Sequence, residues 1–188
     1  NAPVLFVKHR PRETFRKILV ALDLSEISGL ALRATESLVM TPDAHAVIVH
    51  AYEPYYEGTM AYAGVGSEAI GAYGQAWARN AKSAVVDLLE RHTSDSTRYD
   101  IVMQHARAPA GIVKVADRMH PDLLVMGTRG YGRVKRALLG STANQVLAAA
   151  GCDVLIVPDG SLRASEHRSP QTTRRHRREP FNEIIPGA

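Results

Sequence analysis

The stretch Leu123-Leu-Val-Met-Gly-Thr-Arg-Gly130, separated by nine residues from Gly140-Ser141, is the most informative part of this chain. Its apolar beginning predicts a buried strand, and Ser141 can cap a helix over residues 142–150. A strand, a glycine-punctuated loop and a helix N-terminus bring backbone N–H groups together without intervening side chains, and such groups bind anions, commonly phosphate. The basic residues of the loop have the matching sign: Arg129, Arg133, Lys135 and Arg136.

Four further apolar runs predict strands, and with Leu123–Gly127 they make five: Lys17–Leu22, Ala46–Ala51, Asp100–Gln104 and Val154–Val157. Most lack polar alternation, which is typical of strands covered on both faces. Amphipathic patterns between them predict helices, including a first helix with Leu30, Ala34 and Leu38 on one face. The alternation predicts an α/β fold: a five-stranded, doubly wound parallel sheet, flavodoxin-like, with helices on both faces.

The segment Tyr52–Gly74 departs from this alternation, because it is rich in glycine and tyrosine. It joins the second predicted strand to the second predicted helix at the carboxyl side of the sheet. Connections of this length are usually lids, binding loops or mobile surface loops. Both a lid and a mobile loop fit the sequence.

Length and charge indicate one domain with basic ends. The 188 residues, 45% hydrophobic and 22% charged, suit a single globular core. The first 17 residues hold five Lys and Arg against one Glu, and residues 160–188 hold six Arg against three Glu, so residues 18–159 carry −3 of the total +4. We therefore expect a basic N-terminal extension (1–15), one folded domain (16–159) and an Arg-rich C-terminal extension (160–188).

The cellular setting is predicted from three observations. The single cysteine, Cys152, excludes an internal disulfide framework and fits a reducing compartment. No stretch approaches the ~20 apolar residues of a membrane span. The apolar patch Val4–Val7 is too short for the core of a signal peptide. We expect a cytoplasmic protein without a membrane partner.

Ligands of open α/β sheets bind beyond the carboxyl ends of the strands, where the winding reverses. If the first predicted strand is central and the fourth lies beside it, Asp23 and the glycine loop converge there. Gly127 and Gly130 allow a close backbone approach, Gly140 and Ser141 offer N–H groups and a hydroxyl, and Arg129 can neutralise a phosphate. Ala21, Leu22, Ala51 and Met126 can sandwich a flat base. Asp23 can accept hydrogen bonds from a ribose hydroxyl or an adenine amino group, or it can only cap a helix; Ser141 is an equally good cap.

The loop matches neither common phosphate signature. No Gly-x4-Gly-Lys-Ser/Thr is present, and Gly130-Tyr-Gly132 lacks the third glycine of the dinucleotide fingerprint, where Lys135 stands instead. The combination of Gly127-x2-Gly130-x9-Gly140-Ser141 with Lys17-Ile-Leu-Val-Ala-Leu-Asp23-Leu-Ser25-Glu26 and Cys152-Asp-Val-Leu-Ile-Val-Pro158 instead resembles the universal stress protein family over roughly residues 16–158.

The resemblance implies a function and a site. Family members with this glycine pattern bind ATP, usually with a divalent metal at the phosphates, here expected to be Mg²⁺. Carried onto this chain, Asp23 meets the adenosine, Ala51 lies near the base, and the ribose and phosphates are held by Gly127, Gly130, Gly140, Ser141 and Thr142. The resemblance also implies a homodimer through Val154–Val157 and a regulatory role in the stress response. It gives no guide to residues 52–74 or 160–188.

Two other functions stay open. One is a slow ATPase or nucleotide hydrolase at the same site, although Asp23 is the only candidate base and no catalytic set is legible. The other is an interaction module whose basic tails bind nucleic acid or an acidic protein. The eight histidines show no metal-like spacing, so no protein ligands for a metal are predicted, and Cys152 is expected to be a buried, inert thiol.

Overall fold

The computed structural model describes residues 2–10, 14–39, 41–54, 57–128 and 139–159. The strands are β1 (Val4–Phe6), β2 (Lys17–Ala21), β3 (His45–Tyr52), β4 (Tyr99–His105), β5 (Leu123–Gly127) and β6 (Asp153–Val157). The helices are α1 (Glu26–Ala34), α2 (Glu57–Tyr62), α3 (Ser67–His92), α4 (Ala108–Met119) and α5 (Ser141–Ala149). A π-helical turn (Thr35–Val39) extends α1, and a 3-10 turn (Ser96–Arg98) precedes β4.

The strand order is β1-β6-β5-β2-β3-β4, and β2 to β6 run parallel. The chain winds from the central β2 through β3 to β4, and then returns to β5 on the other side of β2. This confirms the predicted doubly wound fold and the predicted adjacency of β2 and β5. The winding reverses between these two strands, so their carboxyl ends flank the switch point.

Each face of the sheet has its own apolar core, because successive strand side chains point to opposite faces. Ile18 and Val20 of β2 pack with α1 and α3, whereas Leu19 and Ala21 pack with α4 and α5. Nearly every residue of the central strands is buried, which explains why the strands read as continuous apolar runs rather than alternating ones. The prediction of helices on both faces is confirmed.

The sheet has a sixth strand that the sequence did not predict. β1 lies inside the stretch predicted as an N-terminal extension and pairs antiparallel with β6, with Leu5 opposite Leu155. A three-residue apolar run has no periodicity that distinguishes a strand from a loop. It becomes a strand here because β6 offers it an unpaired edge.

The prediction of a long loop over Tyr52–Gly74 was wrong. Residues 57–62 form α2, and α3 begins at Ser67 and continues for 26 residues. The glycines favoured a loop, but a glycine inside a helix costs only about 1 kcal/mol relative to alanine. The buried residues farther along α3, from Ala81 to Leu89, hold the helix against the sheet and support its first turns.

The prediction that Leu38 shares a helical face with Leu30 and Ala34 was also wrong. Its side chain is 58% exposed, although its spacing from Leu30 and Ala34 predicted a buried position. The wider turn Thr35–Val39 follows α1 and shifts the helical phase by one residue. Within the part of the chain that the structure describes, no helix combines the length and apolarity needed to cross a bilayer.

Candidate functional site

The carboxyl ends of β2 and β5 lie side by side. Ala21 is the register partner of Met126, and backbone hydrogen bonds continue the order beyond the strands. Thr128 N–H donates to the carbonyl of Val157 over 3.0 Å, and Gly140 N–H donates to the carbonyl of Thr128 over 2.8 Å. The second bond joins Thr128 to Gly140, so the two residues that flank the glycine loop lie next to each other.

A cleft of about 1600 Å³ opens above these strand ends. It contains most of the residues predicted to bind a ligand: Ala21, Leu22, Asp23, Ala51, Met126, Gly127, Gly140, Ser141 and Thr142. The structure therefore brings together residues from β2, β3, β5 and α5. Arg129 and Gly130, also predicted for the site, lie outside the described residues.

The N-terminus of α5 forms one wall of the cleft. The structure corrects the predicted capping: the helix begins at Ser141, its N-cap is Gly140, and no side chain among the described residues caps it. The first helical hydrogen bond runs from Asn144 N–H to the carbonyl of Gly140 over 2.9 Å. The N–H groups of Ser141, Thr142 and Ala143 precede that bond and have no acceptor within the helix. Together with the helix dipole, they favour an anion at this wall.

Asp23 uses one carboxylate oxygen to build the turn after β2. Oδ1 accepts hydrogen bonds from Ser25 N–H (3.1 Å), Ser25 Oγ (2.6 Å) and Ser28 Oγ (2.8 Å). Ser28 is buried and also accepts a bond from Asp23 N–H, which fixes the carboxylate from two sides. No partner for Oδ2 occurs among the described residues. The alternative prediction that Asp23 caps a helix was wrong, because the N-cap of α1 is Ser25 and Asp23 instead builds the turn before the helix. This turn uses Oδ1, so Oδ2 remains for the predicted ligand role.

The turn after Asp23 contains a strained residue. Leu24 has φ of +65°, in the left-handed region, although it is not a glycine. This conformation costs a bulky residue roughly 1–2 kcal/mol. Leu24 lines the cleft and packs partly against the core under α1 and α3, so packing and the Asp23 hydrogen bonds hold the strained turn in place. Backbone strain of this kind concentrates at functional sites.

Sequence reasoning missed the outer rim of the cleft, beyond β3 and β4. Tyr52 stacks between Trp77 and His105, with ring centroids 6.1 Å and 5.4 Å away. His105 Nε2 lies 3.1 Å from the Glu57 carboxylate, which ties α2 to the end of β4. No motif links these four residues, and only the pairing of β3 with β4 and the folding of 57–62 into a helix bring them together.

Two further buried groups are His50 and Cys152. His50 is buried beside the cleft, and its Nδ1–H donates to the carbonyl of Leu22 over 2.8 Å, so this nitrogen is satisfied. Cys152 is buried, and burial raises the pKa of its thiol, as expected for an inert cysteine.

Charge is distributed unevenly along the described walls of the cleft. Asp23, Glu53 and Glu57 line it together with one arginine, Arg107. Glu53 and Glu57 lie at the β3 end, where Arg107 pairs with Glu53 at 3.4 Å. The opposite end is the positive terminus of α5. The cleft is therefore polarised, and an elongated ligand with one anionic end is best placed with that end at α5.

The strand order and the position of the cleft define the class: a flavodoxin-like α/β protein with its cleft at the switch point of the sheet. The model of the family described as "Universal stress protein family" matches residues 14–158, and the chain belongs to that family. The resemblance noted from the motifs is thereby confirmed.

Relatives and solved structures agree with this assignment. The chain is 28% identical over 149 residues to the "Universal stress protein in QAH/OAS sulfhydrylase 3'region" of Thermus aquaticus, covering 76% of this chain and 98% of the relative. The structure of universal stress protein UspA from Lactobacillus plantarum has a TM-score of 0.58 at 21% identity, covering 78% of this chain and 99% of that one. A universal stress protein solved in complex with cAMP has a TM-score of 0.51 at 23% identity, covering 77% and 98%. The two structural likenesses show the shared fold.

Proposed function

We propose that this chain binds an adenine nucleotide, ATP with Mg²⁺ in the first instance, and acts as a nucleotide-responsive regulatory protein of the stress response. The observation that carries the proposal is the meeting of three elements at one cleft. These are the Asp23 turn after β2, Gly127 at the end of β5, and the N-terminus of α5. Together they supply an acceptor for a hydroxyl or amino group, an open approach and a row of N–H donors.

The polarity of the cleft supports one orientation of the nucleotide. Phosphates belong at α5, where the N–H groups and the helix dipole favour negative charge. Glu53 and Glu57 at the other end would repel them and suit the uncharged adenosine. Ala21 and Ala51 line the cleft with small side chains and leave room for a flat base. Asp23 Oδ2 then faces a ribose hydroxyl or the adenine amino group.

In this proposal the Mg²⁺ ion would be bound mainly by the nucleotide phosphates. Among the described residues, no group of three His, Cys, Asp or Glu side chains is arranged to hold a metal ion. That suits Mg²⁺, which usually keeps several waters and binds through substrate phosphates and few protein groups. When bound, the ion would neutralise phosphate charge, and this chain's part is to hold the nucleotide at α5.

The relative solved with cAMP supports adenosine as the recognised part of the ligand. ATP, AMP and cAMP share the adenosine and differ in the number and linkage of phosphates. The α5 terminus offers several N–H donors, and the adjoining loop carries four basic residues in the sequence, which favours the polyphosphate. Ranking the three nucleotides by affinity therefore tests the α5 wall separately from the Asp23 turn.

Regulation follows if the nucleotide changes which surface the protein presents. The loop between Thr128 and Gly140 is attached at both ends to the cleft, and Trp77 and His105, which stack with Tyr52, line the same cleft. A ligand that binds one arrangement of these surfaces better than another shifts the population toward it. We place this function in the cytoplasm, in keeping with a single, buried thiol.

Two measurements on the full chain test the proposal. Mass spectrometry of small molecules released on denaturing freshly purified protein should find an adenine nucleotide. Isothermal titration of nucleotide-free protein should show binding of ATP with Mg²⁺. Comparing the Kd of AMP and cAMP with that of ATP measures the contribution of the phosphates, and comparing GTP with ATP measures the contribution of the base. An absence of heat with millimolar ATP, on protein shown to be folded and nucleotide-free, would refute the proposal. Phosphate release over many turnovers would instead favour the hydrolase that the sequence left open.

A further inference from the structure

His50 lies near the carboxyl end of β3, and its imidazole lines the cleft although the residue is only 6% exposed. Its Nδ1 lies 2.8 Å from the carbonyl oxygen of Leu22. A carbonyl oxygen can only accept a hydrogen bond, so Nδ1 must carry a proton and donate it. In the neutral ring, Nε2 is then an acceptor with a free lone pair.

This second ring nitrogen has no hydrogen-bond partner among the residues that the structure describes. A buried acceptor without a partner lowers stability, and native structures rarely leave one unpaired. The two nitrogens of His50 lie on different edges of the ring, so the bond to Leu22 leaves Nε2 available to the cleft. A donor on a bound ligand can supply the missing hydrogen bond.

Backbone hydrogen bonds place His50 beside the Asp23 turn. Leu22 N–H donates to the carbonyl of Val49 over 3.0 Å, and the carbonyl of Leu22 accepts from His50. The residue before Asp23 is therefore held by two successive residues of β3. Asp23 Oδ2 and His50 Nε2 are thus two unpaired acceptors in one part of the cleft. Acceptors disfavour a phosphate at this position and favour a group that carries N–H or O–H donors.

We infer that Nε2 of His50 is a specificity-determining acceptor, which takes a hydrogen bond from the adenosine part of the bound nucleotide. The inference rests on the proposed function, in which the phosphates lie at α5 and the adenosine lies at the Asp23 turn. Adenosine carries N–H or O–H donors on its exocyclic amino group and its two ribose hydroxyls. Asp23 Oδ2 accepts from one of these groups and His50 Nε2 accepts from another. An analogue that lacks the matching donor leaves Nε2 unpaired and is rejected.

Replacing His50 by asparagine removes the acceptor and keeps the structural bond, because the asparagine amide can donate to the Leu22 carbonyl from about the position of Nδ1. In calorimetric titration of the full chain, His50→Asn should raise the Kd for ATP with Mg²⁺ by about 5- to 100-fold. His45→Asn is the matched control, since His45 begins the same strand at its opposite end, where Nε2 lies 3.0 Å from the Asp100 carboxylate. The control should leave the Kd unchanged, and thermal unfolding should show both variants folded.

Three analogues of ATP identify the donor. Purine riboside triphosphate lacks the amino group, and 2′-deoxy-ATP and 3′-deoxy-ATP each lack one hydroxyl. One analogue should bind the unmodified chain as weakly as His50→Asn binds ATP, and it should lose no further affinity with the variant, because the same hydrogen bond is already missing. An equal loss for ATP and all three analogues would show that His50 acts only through the fold. Binding of ATP by folded His50→Asn within twofold of the unmodified chain would show that Nε2 makes no contact. Either result overturns the inference.

Nitrogen NMR of the histidine rings separates failure of this inference from failure of the proposed function. In the nucleotide-free protein, the His50 signals, assigned by their absence from His50→Asn, should be those of the Nδ1–H tautomer. Addition of ATP with Mg²⁺ should shift the Nε2 signal toward that of a hydrogen-bonded acceptor. An Nε2–H tautomer overturns the inference whether or not a nucleotide binds. ATP binding without a shift of Nε2 overturns the inference and leaves the proposed function standing, whereas an unmodified chain that binds no nucleotide refutes both.

Discussion

Replacing Asp23 by asparagine tests the proposed ligand role of Oδ2 without removing the turn that Oδ1 builds. Oδ1 accepts three hydrogen bonds from Ser25 and Ser28, and these donors should hold the asparagine carbonyl oxygen in the same place. The amide nitrogen then replaces Oδ2, the atom proposed to accept from the nucleotide. Asp23→Asn therefore preserves the turn and converts the ligand acceptor into a donor.

The expected loss follows from a single charged hydrogen bond. Such a bond contributes roughly 1.5–3 kcal/mol, more if the ligand donor is left buried and unpaired. With 1.4 kcal/mol per tenfold, Asp23→Asn should raise the Kd for ATP with Mg²⁺ by roughly 10- to 150-fold in calorimetric titration. The loss should be of similar size for AMP, since the adenosine is common to both.

The chain contains a matched control. Asp95 makes an equivalent turn, with Oδ1 accepting from Thr97 N–H (3.0 Å) and Thr97 Oγ1 (2.6 Å), but it precedes β4 at the opposite end of the sheet. Asp95→Asn should leave the Kd unchanged, and thermal unfolding should show both variants folded. If folded Asp23→Asn binds ATP within twofold of the unmodified chain, or if Asp95→Asn weakens binding equally, the assigned role of Oδ2 is wrong.

Three further changes test the surrounding structure. Gly111→Ala should lower the free energy of unfolding measured by denaturant titration, because the added methyl would lie 2.9 Å from Ala51 Cβ. Overpacking costs about 1–3 kcal/mol, which exceeds the gain of about 1 kcal/mol from replacing a helical glycine by alanine. An equal or higher free energy of unfolding would contradict this packing. Leu24→Gly should be more stable than Leu24→Ala by roughly 1 kcal/mol, since only glycine relieves the positive φ, and the reverse order would refute the strain. Burial, followed by the charges of Arg33 and Arg91, lowers the pKa of His92 below 6.5. The unfolded chain therefore takes up that proton first, and stability should fall as the pH drops below 6.5; His92→Gln should flatten this decline, and an unchanged slope would exclude His92 as its cause.

The five parallel strands were predictable because their burial on both faces is visible in the sequence as continuous apolar runs. β5 was predicted with the observed bounds, and the other four parallel strands within one residue at each end, since strands buried on both faces must be apolar throughout. The order of these strands also followed from the doubly wound rule, which placed β2 beside β5. That adjacency is what brings Asp23 and Gly127 to one cleft.

The elements that were missed have no such local signature. β1 is three apolar residues that become a strand only against the edge of β6. The first turns of α3 contain Gly71 and Gly74, and their helical state depends on packing farther along the helix. Ser141 was predicted as a cap because of its chemistry, but the carbonyl of Gly140 accepts the first helical hydrogen bond, from Asn144 N–H, so the helix begins one residue earlier.

The sequence by itself determined the fold class, the family and the cleft residues that follow β2 and β5 or begin α5, because apolar runs and glycine spacing are local properties of the chain. Only the tertiary structure decided how those residues divide their hydrogen-bonding groups. It assigned Oδ1 of Asp23 to the turn, formed the aromatic rim at Tyr52, and placed residues 4–9 on the edge of β6. Each of these depends on contacts between segments distant in sequence, and a one-dimensional pattern does not record which groups such contacts satisfy.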